Sequence, residues 1–297
     1  MKKPLLHRNR LCVLQFLGAA SLLLAGWSSQ AAETLSCTGT YDLPQCVADV
    51  ESGGGGTVVL DGKTYLLTAS LILKNNVNIT GQGSSTVITW DDSVKETIDA
   101  PLLYSTTVDD ITIKNLKILG TIDQASTSND LRNDHIGLYL NCGGDPTAGE
   151  TTECNNIHLE SVEVANSSHG IHIKGASDVT AVDLNLHNNG NTEVDYFHNI
   201  YFRRVANLIV KQTSASSVGF YDSPRGHGIR GSHLINVYFA NLSVYNNADH
   251  GIHTDNIYNA RFHDLNVQNN CAAPTNTCAE IACYGDFCEI NYNAPEE

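Results

Sequence analysis

The residues best suited to chemistry recur at intervals along this 297-residue sequence. One phrase appears as His169-Gly170-Ile171-His172-Ile173, His198-Asn199-Ile200-Tyr201-Phe202, His227-Gly228-Ile229-Arg230-Gly231 and His250-Gly251-Ile252-His253-Thr254. Ile136-Gly137-Leu138-Tyr139-Leu140 is an earlier variant copy. In a strand, apolar residues two apart share one face and the residue between them takes the other. The phrase therefore turns Tyr139, His172, Tyr201, Arg230 and His253 outward, followed two positions on by Asn141, Lys174, Arg203, Ser232 and Asp255. On coils stacked about 4.8 Å apart these side chains form one cation-rich, titratable patch. Tyrosine, histidine and lysine transfer protons, and arginine binds carboxylates bidentately. Tyr201, Arg230, His172 and Lys174 are the candidate catalytic residues. Tyr139, His198, Arg203, Arg225, His227 and His253 are the candidate substrate contacts.

The elements that must position them follow from the repeat. Successive histidines are 29, 29 and 23 residues apart, and each phrase leads into a second short alternation such as Val179–Leu186 or Val237–Val244. The tails end in asparagine pairs: Asn188-Asn189, Asn246-Asn247 and Asn269-Asn270. Short period-2 segments are strands, and a repeat of this length with asparagine and glycine turns marks a solenoid. The expected fold is all-β: a single-stranded right-handed parallel β-helix of about eight coils, with an N-terminal cap. Leu43–Val50, with Pro44 near its start and an apolar face at Val47 and Val50, is the expected capping helix. The histidines beginning each phrase share the parity of the buried isoleucines and fall at the coil corner. His169 and His250 are accordingly expected to satisfy turn backbone rather than to touch a ligand.

Composition narrows the partners. Seventeen Lys and Arg stand against 32 Asp and Glu, giving a formal charge of −15. Lys2, Lys3, Arg8 and Arg10 belong to a basic start that runs into Leu22-Leu23-Leu24 and ends at Ser29-Gln30-Ala31, the pattern of a removable signal peptide over residues 1–31. So acidic a surface excludes general nucleic-acid or anionic-membrane binding. A soluble, secreted or periplasmic, monomeric protein is expected, with one β-helix domain over residues 33–297. Six Lys and Arg nevertheless lie between positions 174 and 230, which points to an anionic ligand on that face. Eight of the nine cysteines fall in close pairs, Cys37/Cys46, Cys142/Cys154, Cys271/Cys278 and Cys283/Cys288. Four local disulfides are the natural reading in an exported chain, with 271–283/278–288 as the alternative connectivity. Acidic pairs at Asp91-Asp92, Asp109-Asp110 and Asp130/Asp134 leave calcium as a possible ligand, although solvated acidic loops are the default.

Two stretches carry a resemblance. The segment Gly53-Gly54-Gly55-Gly56-Thr57-Val58-Val59-Leu60-Asp61-Gly62-Lys63-Thr64-Tyr65, continued by Asn76-Val77-Asn78-Ile79-Thr80-Gly81-Gln82-Gly83, resembles the first coils of the pectate-lyase-like β-helix superfamily. His198-Asn199-Ile200-Tyr201 and Gly226-His227-Gly228-Ile229-Arg230 resemble paired signatures of polysaccharide-lyase-like members. There the tyrosine and a lysine serve as acid and base; arginine replaces the lysine here. Gly226-His227-Gly228 is also similar to an element of polygalacturonase-type hydrolases, but the carboxylate constellation of an inverting glycosidase is missing. The resemblance implies a carbohydrate-active protein, with β-elimination of an anionic, uronate-containing polysaccharide as the leading reaction. A uronate epimerase, a glycoside hydrolase and a non-catalytic glycan-binding or adhesion protein are the alternatives.

Overall fold

The computed structural model describes residues 33–38, 42–122, 135–192, 197–213, 219–271 and 278–292, with side chains as far as residue 285. Short apolar alternations form the strands. The first are β1 (Glu33–Cys37), β2 (Gly56–Leu60), β3 (Thr64–Leu67), β4 (Leu71–Ile72), β5 (Val77–Thr80), β6 (Val87–Trp90), β7 (Leu103–Ser105), β8 (Val108–Leu119) and β9 (Leu138–Asn141). The rest are β10 (Cys154–Ala165), β11 (Ile171–Val182), β12 (Asn185–His187), β13 (Ile200–Lys211), β14 (Phe220–Tyr221), β15 (Ile229–Ala240), β16 (Ser243–Tyr245), β17 (Ile252–Gln268) and β18 (Ile281–Tyr292). Among the described residues one α-helix, α1 (Leu43–Ser52), lies between β1 and β2.

Strand pairing is parallel, and strands from successive turns of the chain stack on three faces as a parallel β-helix. The first face runs from β1 through β2 and β5, then through the 111–114 part of β8 and the 157–160 part of β10 to the second halves of β11, β13, β15 and β17. The second face stacks β3, β6, the end of β8, the end of β10, β12, β14 and β16. The third stacks β4, β7, β9 and the first halves of β11, β13, β15, β17 and β18. Among the described residues it has eight rungs, the coil number expected from the repeat.

Corners are made by residues that tolerate the left-handed region. Asp110, Asn156, Asp178, Asn207, Asn236 and Asn259 all have φ between 54° and 56°. Short amide or carboxylate side chains bear this conformation best. They also bond rung to rung, as in Asn236 Nδ2 to Asn207 Oδ1 (3.0 Å) and Asn259 Nδ2 to Asn236 Oδ1 (2.8 Å). The asparagine pairs divide labour. Asn188, Asn246 and Asn269 take φ of 55–57°. Their neighbours Asn189, Asn247 and Asn270 are buried and donate to the Val164, Phe220 and Val244 carbonyls at 3.0–3.1 Å.

The core is a continuous column of Ile, Leu, Val and Phe, with Phe202, Phe239 and Phe262 in its C-terminal half. Leu43, Cys46, Val47 and Val50 of α1 join it, and the Cys37–Cys46 disulfide ties α1 to β1. Cys142–Cys154 closes the excursion between β9 and β10, and Cys271–Cys278 spans the segment before β18. The last bond rules out the 271–283/278–288 alternative. Cys283 is also disulfide-bonded; the side chain of Cys288 lies outside the described residues. Among the described residues no helix is long and apolar enough to cross a membrane.

Candidate active site on the third face

On the third face the outward residue of each rung pairs in register: Ile72 with Tyr104, Tyr104 with Tyr139, Tyr139 with His172, His172 with Tyr201, Tyr201 with Arg230, and Arg230 with His253. The inward neighbours Ile171, Ile173, Ile200 and Phe202 are fully buried, which fixes this alternation against a one-residue slip. His172 lies between two rings, its centroid 4.8 Å from Tyr139 and 4.7 Å from Tyr201, both stacked. Burial, followed by the positive charges of its surroundings, holds the His172 imidazolium well below the ordinary histidine range. The ring is therefore neutral at physiological pH, and its buried Nε2 has no hydrogen-bond partner.

Beside this column runs a second: Asn141, Lys174, Arg203, Ser232 and Asp255. Lys174 and Arg203 are register neighbours, so two cations face each other across one strand spacing. Lys174 Nζ donates to Asn141 Oδ1 at 3.2 Å. Arg203 is half-buried and makes no hydrogen bond or ion pair among the described residues. Like charges directly opposite in a sheet repel, so this pair calls for an anion between or above them.

Arg230 is placed differently. Its guanidinium bonds Asp255 Oδ2 and donates to the carbonyls of Gly231 (3.2 Å) and His253 (3.3 Å). Burial pushes Asp255 up, but the Arg230 hydrogen bond and charge outweigh it and hold the carboxyl below its usual value. His253 completes that end of the column, its Nδ1 3.3 Å from His227 Nε2, and burial lowers its pKa to about 4.

Three expected substrate contacts lie off the outward columns. His198 and His227 are only 5% and 6% exposed and stack on one another at 4.6 Å. They belong to the corner, with His169 and His250. His169 Nδ1 accepts the His198 N–H, and His198 Nδ1 accepts the His227 N–H, each at 3.1 Å. Both rings therefore carry their proton on Nε2. The corner role expected of His169 and His250 thus extends along the ladder. Arg225 lies on the connection between β14 and β15, outside the strand columns, where it donates to the Thr192 carbonyl at 2.7 Å. Arg204, next to Arg203, takes φ of 57°, which breaks the alternation and turns it to Asp145 at 3.2 Å.

Sequence reasoning missed Tyr104, which extends the aromatic column past Tyr139 at 5.8 Å. Its coil lacks the histidine phrase; the buried pair Leu103 and Ser105 around it was the available signal. The carboxylates of the described acidic pairs have partners within the chain. Asp91 Oδ1 accepts from Ser93, Asp92 pairs with Lys95, Asp109 Oδ1 accepts from Asn155, and Asp110 Oδ1 accepts from Asn156. Asp130 and Asp134 lie outside the described residues. The closest metal-like cluster, His250 with Cys271 and Cys278, has both sulfurs in a disulfide.

No protein-family model and no curated protein matches the sequence. Among solved structures, the A-module of a mannuronan C-5 epimerase from Azotobacter vinelandii aligns over 81% of this chain and 75% of its own, with 18% identity and a TM-score of 0.39. A pectin methylesterase solved with a hexasaccharide aligns over 82% and 76%, with 11% identity and a TM-score of 0.40. ORF18 of Geobacillus virus E2 aligns over 73% and 52%, with 15% identity and a TM-score of 0.38. Likeness this distant transfers no reaction, which has to be argued from the residues of the site.

Proposed function

We propose that the protein is an exported, monomeric polysaccharide lyase, a single right-handed β-helix domain capped by α1, acting on a uronate-containing polymer. The observation that carries this reading is the unneutralised Lys174–Arg203 pair beside the Tyr139–His172–Tyr201 stack, in a chain of charge −15. Elimination begins at the weakly acidic proton on the carbon bearing the carboxylate. Lys174 and Arg203 bind that carboxylate and stabilise the charge that develops as the proton leaves. Neutral His172 accepts the proton on Nδ1, because its Nε2 is enclosed. The electron pair forms the ring double bond, the bond to the glycosidic oxygen breaks, and Tyr201 gives that oxygen its proton. Arg230, already held by Asp255, shapes the end of the site rather than binding substrate.

One feature of the geometry favours elimination over epimerisation. His172 and Tyr201 stack in one column and rise from the same floor. Removing a proton and protonating a leaving group from one side of the sugar suits elimination; inverting a carbon needs donor and acceptor on opposite sides. The local disulfides support export. The test is ultraviolet absorbance of unsaturated product over alginate, pectate, glucuronan and hyaluronan. Absorbance should rise with one or two of them. No rise with any polyuronate would sink the elimination and leave glycan binding as the reading of the face.

A further inference from the structure

The cation column continues beyond the reacting pair. Leu71 and Leu73 are buried, so Ile72 and Lys74 face outward, and Ile72 is in register with Tyr104. Lys74 thus stands in the column of Lys174 and Arg203, three rungs before Lys174, or roughly 14 Å at strand spacing. Between them the floor is unbroken aromatic: Tyr104 to Tyr139 is 5.8 Å and Tyr139 to His172 is 4.8 Å. At the Lys74 end the surface sinks into a cavity of about 260 Å³ lined by Glu51, Ile72, Lys74, Tyr104 and Thr106 among others. That is room for one sugar ring against the Tyr104 side chain, with hydroxyl partners at Thr106.

We infer that this cavity is a distal subsite that binds the carboxylate of a uronate unit several residues along the same polymer, with Lys74 as its cation and Tyr104 as its wall. The inference rests on the uronate reading of the third face. Lys74 now pairs with Glu51 of α1 at 3.1 Å, their side chains 36% and 44% exposed. An ion pair this exposed contributes little to stability. A ligand carboxylate can therefore displace Glu51 at small cost, and Glu51 acts as a placeholder that competes with substrate. Specificity for long chains follows, because only a polymer reaching from Lys174 to Lys74 meets both ends.

Titration calorimetry and turnover with trimers and hexamers of galacturonate and of mannuronate test this in the full chain. Lys74→Ala should weaken hexamer binding roughly fivefold to tenfold and leave the trimer unchanged. Lys74→Arg should restore it, and Glu51→Gln should tighten the hexamer while sparing the trimer. Equal loss for trimer and hexamer, or no loss for either, overturns the subsite. So does weaker hexamer binding in Glu51→Gln. Length-dependent binding without unsaturated product keeps the subsite and removes the lyase reading. Turnover that ignores both substitutions and chain length does the reverse.

Discussion

Arg203 and Arg230 are the same residue type on neighbouring coils, and their surroundings give them opposite tasks. Arg230 is spent on Asp255 and two carbonyls, whereas Arg203 faces Lys174 with no acid between them. Arg203→Ala should therefore lower turnover about 10²–10³-fold with the melting temperature kept, as for loss of a preorganised charge partner. Arg230→Ala should instead cost about 1 kcal/mol of stability, with most of that loss recovered in the Arg230→Ala/Asp255→Ala double variant. Tyr201→Phe keeps the stack on His172 and removes only the hydroxyl, so it should cost about 10²–10⁴ in turnover with the fold intact. Steady-state rates and thermal melts on the same preparations separate these outcomes. A Tyr201→Phe protein with wild-type turnover would take the tyrosine out of the mechanism.

At the scale of elements, the corner ladder carries stability rather than chemistry. His169 is buried and accepts the His198 backbone N–H at 3.1 Å. His169→Ala leaves that donor unpaired and opens a cavity, and should cost about 2–4 kcal/mol in urea unfolding, with activity per folded molecule retained. Cys142–Cys154 closes a 12-residue separation, so Cys142→Ala with Cys154→Ala should cost about 3 kcal/mol by chain entropy. Retained stability in either variant would contradict the role given to that element. The strands, their register and the outward column were legible because isoleucines two apart leave one face to alternate residues. The corner was less so: His198 and His227 share the parity of the buried isoleucines, and only the stacking of coils shows that their rings bury against one another. Arg230's partner was hidden because Asp255 lies 25 positions away, brought alongside by the offset of one coil. Tyr104 was hidden because its coil lost the repeated phrase.

For the molecule as a whole, the histidine stack sets how stability responds to acid. Burial, the largest cause in each case, lowers His169 and His253 to about 4 and His227 to about 2, and holds His172 and His198 well below their ordinary value. In the unfolded chain these groups take up protons near pH 6.5. Above that pH neither state is protonated and they contribute no pH dependence. Between about 6.5 and 4 the unfolded state binds more protons, so stability falls as pH falls, by up to 1.36 kcal/mol per pH unit for each histidine. Glu163 adds a second, lower window. A hydrogen bond from His187, then the Lys117 bond and charge, depress its carboxyl to about 2 against the opposing effect of burial. Its contribution is complete above about pH 4.5 and is lost as pH drops toward 2. Melting temperature followed by circular dichroism should thus be level above about pH 7 and decline steadily to pH 4. In His169→Asn the decline should be shallower by about one proton. A melting temperature unchanged between pH 8 and 5 would mean that the rings titrate freely in the native state, and the buried ladder would have to be redrawn.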